Sequence, residues 1–499
     1  MSNCIILSGG TWSPPEWAKI KRSLGPYRIA TTLEQAGYTT SILEYTEELT
    51  IEEILLFISK HLSNETLWVG FSSTFYWPKK DESNTDSNTV EQMYFKPYSD
   101  IQKIFEYVRK NSNAKFLYGG SKVPYFLIDK NIDYYITGNA DNSIINITNH
   151  IAKKEDLFHH ENYDGHIIVD SLKYPEPDVK NIPTKWSKHP VLKGEGLPIE
   201  LARGCIFKCK FCNYPLLGKK KGTYLRDFSQ IKDEMIESWE KHGTNLYYLT
   251  DDTFNDDNDK LEELHKLFTS LPFKPMFSCY LRLDLINRYT HQADLLVEMG
   301  LIGTYFGLET LQSESAKAIG KGLHPNKVKD RLYWLANKWK NKVNIEAGFI
   351  LGLPYDTLSY FNELINWCLE ENNPIQSIHF YPLMLFHYKQ KELEPYSSEF
   401  SLKPEIYGYE FNTGNGSHWS LPSQKLTYKG CSSIASKFAD LRTPLNKVAG
   451  FHMITSLNTG VSLSDLYEFT QHEIDSKYDI PSMNMNKINE YKRLLDLYK

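Results

Sequence analysis

The stretch Arg203-Gly204-Cys205-Ile206-Phe207-Lys208-Cys209-Lys210-Phe211-Cys212 gathers three of the chain's seven cysteines into eight residues. Spacers of three and then two residues let one tight loop aim three thiolates at a common point. A [4Fe–4S] cluster takes four ligands, so three cysteines leave one iron open to a ligand from outside the protein. Structural zinc sites want four protein ligands, usually from two separated pairs. No second pair is present, and the nearest histidine, His189, lies upstream of the loop. Chance packing of three thiols in this pattern is the remaining alternative, and the composition makes it rare. The iron–sulfur reading is favoured over both.

The loop follows the strand candidate Ile199–Ala202, the first of six. The others are Leu246–Thr250, Met276–Leu283, Ile302–Leu308, Val343–Leu351 and Ser377–Leu385. Helical signals lie between them. Asp227 and Gln230 fall at an N-cap and its third residue, Ile231, Met235 and Trp239 share a face, and Gly243 follows the end. Val328, Leu332, Leu335 and Trp339 recur at steps of three and four residues. Six βα units in succession predict a partial barrel over 196–389, with its chemistry at the carboxyl ends of the strands. From 390 to 499 the pattern weakens into loops, with helices near Lys429–Leu441 and Ser464–Glu473. This C-terminal extension, mostly helix and loop, is expected to cap a substrate pocket.

Upstream, residues 1–155 alternate strands (Cys4–Ser8, Thr40–Tyr45, Leu67–Thr74, Lys115–Leu117, Asp133–Thr137) with helices (about Tyr27–Ala36, Ile51–Leu62, Asp100–Arg109, Ser143–Lys153). Such alternation predicts an α/β, doubly wound, Rossmann-like parallel sheet, interrupted by a polar insertion at Lys79–Asn88. Ligands bind beyond the carboxyl ends of such strands. Residues 156–195 carry Pro175, Pro177, Pro183 and Pro190 and read as an extended linker.

The whole composition agrees with a globular chain of several domains. Apolar residues make up 41% and charged residues 24% of 499 positions, enough for large cores. The longest apolar runs, such as Ile54–Ile58 and Phe349–Leu353, fall far short of the ~20 residues a membrane helix needs, and Met1 opens no signal-peptide pattern. A cytoplasmic, membrane-free protein is therefore expected. An odd cysteine count argues for a reducing compartment rather than a disulfide framework. With 56 Lys+Arg against 62 Asp+Glu, net charge −6 does not favour nucleic acid as a partner.

Cys-x₃-Cys-x-Phe-Cys at the first strand of a six-unit barrel resembles the radical S-adenosylmethionine (SAM) superfamily. The resemblance implies that Cys205, Cys209 and Cys212 hold the [4Fe–4S] cluster, with Phe211 of the motif beside it. The open iron would chelate the amino and carboxylate groups of SAM. One electron, from a reductant such as a flavodoxin or ferredoxin, would cleave SAM to methionine and a 5′-deoxyadenosyl radical that abstracts a substrate hydrogen. Asp251-Asp252 stands where the family has Gly-Gly-Glu, so either carboxylate is a candidate for the methionine amino group. Arg282 is the candidate for the methionine carboxylate and Glu309 for the ribose. Gly348 and Gly352, in Gly348-Phe349-Ile350-Leu351-Gly352, match the element that lets backbone approach adenine.

A doubly wound domain before such a barrel resembles the cobalamin-binding subclass. Its Asp-x-His-x-x-Gly motif is absent, since Ser8–Gly25 holds no histidine. Ser72 keeps the serine expected after the third strand, and Gly119-Gly120 the glycine pair after the fourth. The resemblance implies a corrinoid held without a protein imidazole from that loop, its nucleotide tail lying along small residues. The function expected is a cobalamin-dependent radical SAM methyltransferase acting on an unactivated carbon of an unknown substrate. Three alternatives stand beside it. One is a rearrangement that uses cobalamin without methyl transfer. Another is a methylthiotransferase-like tRNA modifier, which would need a second cluster where this region has only Cys4. The last is a non-catalytic iron–sulfur or redox-sensing protein. No catalytic acid or base is assigned. Lys219-Lys220-Lys221 reads as a solvated face or an attractor for an anionic substrate. His379 and Tyr381 alternate with Phe380, so both could face the barrel, although a satisfied core histidine is the blander account.

Overall fold

A computed structural model describes residues 3–9, 19–72, 98–120, 129–141, 143–163, 165–175, 180, 182–212, 217–321, 323–385, 398–411 and 418–497. Gly10, the Lys79–Asn88 insertion, Thr74 and Pro177 lie outside them. The chain divides into two compact units. One gathers 1–198, 233–244 and 480–499, and the other 199–232 and 245–479.

The first unit is built on a seven-stranded sheet in the order β2-β1-β3-β4-β5-β7-β6. The strands are β1 Cys4–Leu7, β2 Thr40–Leu43, β3 Trp68–Ser72, β4 Lys115–Gly120, β5 Tyr134–Thr137, β6 His160–Tyr163 and β7 His166–Asp170. Strands β1 to β5 and β7 run parallel, and β6 pairs antiparallel with β7. The core order 2-1-3-4-5 is one of the two common doubly wound arrangements, with its switch point between β1 and β3. The strands read as continuous apolar runs because both faces are covered: Ile5, Leu7, Val69, Phe116 and Tyr135 are all buried. Helix α1 (Gly25–Gln35) stops before Gly37, whose φ of 86° suits glycine. Helix α2 (Ile51–His61) starts at a capping box in which Thr50 and Glu53 satisfy each other's backbone N–H.

Two expectations change here. Residues 156–195 are not one extended linker: His160–Asp170 forms the β6–β7 hairpin and extends the sheet. Its apolar run His166-Ile167-Ile168-Val169 finds a pairing edge on β5, and Gly165 takes the turn at φ 83°. Nor is 390–499 a single extension. Its last helix, α11 (Ile480–Leu497), belongs to the first unit, where Tyr491 accepts the Glu44 N–H at 3.0 Å and packs edge-on against Tyr45.

The second unit is a six-stranded sheet whose spatial order follows the chain from β8 to β13. These are β8 Leu197–Ile199, β9 Leu246–Leu249, β10 Met276–Leu281, β11 Leu301–Glu309, β12 Asn344–Leu351 and β13 Ser377–Pro382. The pairs from β9 to β13 are parallel, giving the partial (β/α)₆ barrel. Alternation along the strands separates two faces. The outer face meets the helices: Phe306 stacks on Trp339, Phe349 meets Trp367, and Phe380 stacks on Phe438 at 3.9 Å between centroids. Cys279 is buried on this face. The inner face carries Ser278, Tyr280, Tyr305, Glu346, His379 and Tyr381, in register across β10 to β13.

The extension touches the barrel at its floor as well as near its mouth. Gly450 is laid so closely on Gly303 that a Cβ on Gly303 would stand 2.0 Å from the Gly450 carbonyl oxygen. Ser278 Oγ donates to the Phe451 carbonyl, and Asn344 Nδ2 to that of Leu466, each at 3.0 Å. At the other end, Phe400 N–H donates to the Lys210 carbonyl in the cysteine loop.

Candidate active site

The cysteine loop begins where β8 ends, and it is anchored from the next strand. Asp251, just past β9, accepts the N–H groups of Leu201 and Ala202 on one oxygen at 2.7 and 3.1 Å. Its other oxygen lies 3.3 Å from Lys260 Nζ, which also meets Asp256 at 3.0 Å, and all three side chains are about 1% exposed. Burial pushes the Asp251 carboxyl up to about 6, countered first by Lys260 and then by the two backbone donors. Burial opposes the Lys260 charge, yet the two carboxylates hold its pKa above the ordinary range.

Beyond this anchor stand the thiols. Cys205 is buried, while Cys209 and Cys212 are half-buried, and none of the three forms a disulfide. Phe211 is half-buried between them in sequence. Burial raises the Cys205 thiol, opposed by the Phe207 backbone and the Thr253 hydroxyl, which lies 3.6 Å from the sulfur. Arg282 donates to Cys209 Sγ at 3.5 Å, forks onto Asp284 at 3.0 and 2.7 Å, and lies 3.7 Å over the Phe207 ring. Arg282 thus aims a charged donor at one of the three sulfurs, and the Thr253 hydroxyl, which donates to the Asp252 carbonyl at 2.8 Å, stands beside a second. Among the described residues no three His, Cys, Asp or Glu side chains converge as a single-ion site. What fits a [4Fe–4S] cluster is the donor set itself, three thiols carried on one loop after β8.

The structure separates the paired aspartates. Asp251 is committed to the protein on both oxygens, so its expected contact with a methionine amino group is withdrawn. Asp252 is half-exposed and within electrostatic reach of Cys205. Glu309 ends β11 with φ 67°, and its carboxylate folds back over Gly307, where a Cβ would stand 2.4 Å from Oε1. Burial raises this carboxyl, and Lys321, 3.7 Å away, with Arg282, opposes the rise. Gly352 also changes role. It sits at φ 96°, and the space of its missing side chain is filled by Trp419, whose ring would stand 2.2 Å from a Cβ. Tyr409 donates to the Gly352 carbonyl at 2.7 Å. Gly352 thus receives the extension's aromatic residues rather than an adenine. The room at Gly348 admits the Tyr305 hydroxyl, 1.8 Å from where a Cβ would be.

Deeper in the barrel, Glu346 pairs with His379 at 3.3 Å and accepts the Phe451 N–H at 3.0 Å on its other oxygen. Reading by strand alternation placed His379 and Tyr381 on one face but missed Glu346, Lys260, Thr253, Phe207 and Asp284. Glu346, Thr253 and Phe207 lie on a strand, strand end or loop already singled out, whereas Lys260 and Asp284 lie on helices, Asn258–Thr269 and Leu283–Arg288. What was missing is which side chains converge across strands. Lys221 of the lysine run pairs with Asp257 and Asp259 at 2.9 and 2.7 Å, as a solvated face does.

In the first unit, Ser72 and Gly119 are partners across β3 and β4, half-exposed at the strands' carboxyl ends with Gly120 beside them. Among the described residues, a Cβ on Gly119 would meet Ile136 at ordinary contact distance. This half-open row of small groups fits a nucleotide tail laid across the strand ends. Among the described residues no helix is long and apolar enough to cross a membrane.

Comparison with known proteins places this geometry. A family model described as the radical SAM superfamily matches residues 199–368. A bacteriochlorophyllide d C-8(2)-methyltransferase of Chlorobaculum tepidum is 25% identical over 243 residues, 47% of this chain and 52% of that protein. The chain thus spans about half the length of this curated relative. The solved structure of TsrM from Kitasatospora setae, a radical SAM methyltransferase with tryptophan substrate and a SAM analog bound, is similar with a TM-score of 0.63. Its identity is 16%, and the match covers 95% of this chain and 99% of that one. OxsB, a cobalamin-dependent SAM radical enzyme solved with aqua-cobalamin and SAM, gives a TM-score of 0.55 at 12% identity, covering 81% of this chain and 56% of its own. At these identities the structural likeness is one of fold.

Proposed function

We infer, from the match of residues 199–368 to the radical SAM superfamily model and from the cysteine loop, that the chain is a cobalamin-dependent radical SAM enzyme that methylates an unactivated carbon of its substrate. One observation carries the reading. The three thiols stand at the carboxyl end of the first barrel strand, where Arg282 donates to Cys209 and the Thr253 hydroxyl lies 3.6 Å from Cys205. In this reading Cys205, Cys209 and Cys212 bind the cluster, and Asp252, Arg282 and Glu309 orient SAM, with the Gly348 backbone beside them. Ser72, Gly119 and Gly120 receive the corrinoid tail. When bound, the cluster and SAM supply one-electron cleavage to a 5′-deoxyadenosyl radical, and the corrinoid supplies a transferable methyl group. The chain's own part is to seat the cluster, to hold SAM's charged ends and to exclude water. One Arg282 guanidinium faces both Cys209 and the carboxylate of Asp284. A small reductant such as a flavodoxin or ferredoxin is the electron source proposed.

The names of the relatives support the methyl-transfer branch over rearrangement, since both the curated relative and TsrM are methyltransferases. The test is anaerobic purification with cobalamin present, followed by iron and corrinoid analysis and incubation with methyl-labelled SAM. About four irons and one corrinoid per chain are expected, with label in the product. Iron without corrinoid would remove the cobalamin half of the proposal. Twice that iron would point to the tRNA-modifier alternative.

A further inference from the structure

The inner face of β10 to β13 carries more chemistry than cluster and SAM binding require. Tyr280 of β10 and Tyr305 of β11 meet edge to face with centroids 5.3 Å apart, and Phe451 packs on Tyr280 at 4.5 Å. On β13, Tyr381 lies near parallel to His379 with centroids 6.1 Å apart. Tyr381 stays 47% exposed and the His379 side chain 34%. The Gly450–Phe451 segment closes the floor beneath, and these side chains line the space above it, hereafter the pocket. Flat walls of this kind suit a planar ring, which gains edge and face contacts that an aliphatic chain cannot.

The pocket also contains an oriented histidine. His379 Nε2 lies 3.3 Å from Glu346 Oε1 and 3.0 Å from Ser377 Oγ. Glu346 is itself fixed by the Phe451 N–H. A carboxylate on Nε2 holds the proton there, leaves the Nδ1 lone pair available, and stabilises the imidazolium formed if Nδ1 takes a proton. The other titratable groups that face this couple are Tyr305, Tyr381 and Glu309. Burial and the neighbouring carboxylates hold both phenols well above their ordinary range, so they remain neutral donors.

We propose that this pocket takes a planar aromatic substrate bearing an acidic N–H or O–H, and that His379, backed by Glu346, accepts that proton on Nδ1. The step is a proton transfer alone: the substrate's N–H or O–H bond breaks, its electron pair stays on the substrate, and the imidazolium later returns the proton to solvent. It rests on the proposed function only in taking the barrel as the place of reaction.

The test uses the cluster-loaded enzyme with SAM and 4-nitrophenol as the probe, because the phenolate absorbs in the visible while the phenol does not. In buffer about one unit below the probe's solution pKa, the bound probe is expected to show the phenolate band. His379→Gln keeps a donor toward Glu346 and should bind the probe as neutral phenol. Glu346→Gln should weaken the band, and Tyr381→Leu should weaken binding about tenfold, whereas Tyr381→Phe should not. Binding of the probe only as neutral phenol to the parent enzyme overturns the proton-accepting role. An absence of saturable binding overturns the aromatic pocket. Iron content and SAM cleavage, measured on the same sample, report on the proposed function separately: their loss leaves probe ionisation interpretable, and their presence does not supply it.

Discussion

In the first unit, Arg22 forks onto Glu195 with two 2.8 Å contacts and donates to the Pro190 carbonyl at 3.0 Å, enclosed by the rings of Tyr27, Tyr45 and Tyr491. In the second, Lys260 lies between Asp251 and Asp256, equally buried. Both are ion clusters withdrawn from water, yet they differ in what their remaining bonds reach. The Arg22 cluster bonds or packs against the helix α1, the end of β2, the segment before β8 and the helix α11, so it fastens segments distant in sequence. The Lys260 cluster spends one whole carboxylate oxygen on the backbone of Leu201 and Ala202, three residues ahead of Cys205. Burial and charge alone therefore do not identify a functional residue; the identity of the group held does.

Breaking one partner separates the two cases. Asp251→Ala strands the Lys260–Asp256 pair and leaves two backbone donors without their acceptor. A loss of about 3–5 kcal/mol in urea unfolding is expected, together with loss of most cluster iron per folded chain. Arg22→Met strands the Glu195 carboxylate and should destabilise by a similar amount, about 3–5 kcal/mol. Iron per folded chain should stay unchanged, because none of the partners of Arg22 described above belongs to the cysteine loop. Equal iron loss in both variants would erase the distinction.

Paired replacement sharpens it further. Arg22→Met with Glu195→Leu removes both charges, and such replacements are often neutral or stabilising, so stability should return to within about 1 kcal/mol of the parent. Asp251→Leu with Lys260→Met cannot recover as far, since it strands the buried Asp256 carboxylate and leaves the Leu201 and Ala202 N–H groups unsatisfied at about 1–3 kcal/mol each. Measured unfolding energies of the four chains decide this.

The same contrast explains what could be read without coordinates. Both parallel sheets were legible because continuous apolar strands and capped helices repeat at short range, as at Thr50–Glu53 and Gly37. The cysteine loop was legible because its ligands are close in sequence. The roles of Asp251 and Gly352 were not. An aspartate at a strand end looks alike whether it faces a ligand or the neighbouring loop, and Trp419 reaches Gly352 from 67 residues away. The β6–β7 hairpin was missed for a different reason: nothing in 156–195 alternates strongly, and only the free edge of β5 turns His166–Asp170 into a strand. Each miss is a partner supplied by tertiary packing rather than by local pattern.

The smallest effect expected concerns two buried carboxyls, one in each unit. Burial pushes Glu44 up to about 8 and Asp356 to about 7. Glu44 accepts from Ser8 and Ser23 on one oxygen, whereas Asp356 accepts from Ser315, Gly352 and Leu353 across both. For each group the folded-state pKa lies above the unfolded one, so the contribution to stability is complete below the unfolded value and declines as pH rises. For Glu44 that decline runs from its ordinary 4.5 to about 8. Glu44→Gln removes the titration and gives up little else, so the parent and variant should differ by less than about 1 kcal/mol near pH 5, with the variant gaining as pH approaches 8. Asp356→Asn removes its titration too, but an amide cannot accept on both sides, so that variant should start below the parent at low pH. Unfolding free energies at several pH values distinguish them. A Glu44→Gln curve parallel to the parent's would mean that the Glu44 carboxyl is no more protonated in the fold than in the open chain, and that Arg22, the nearest cation in the first unit's network, holds it ionised.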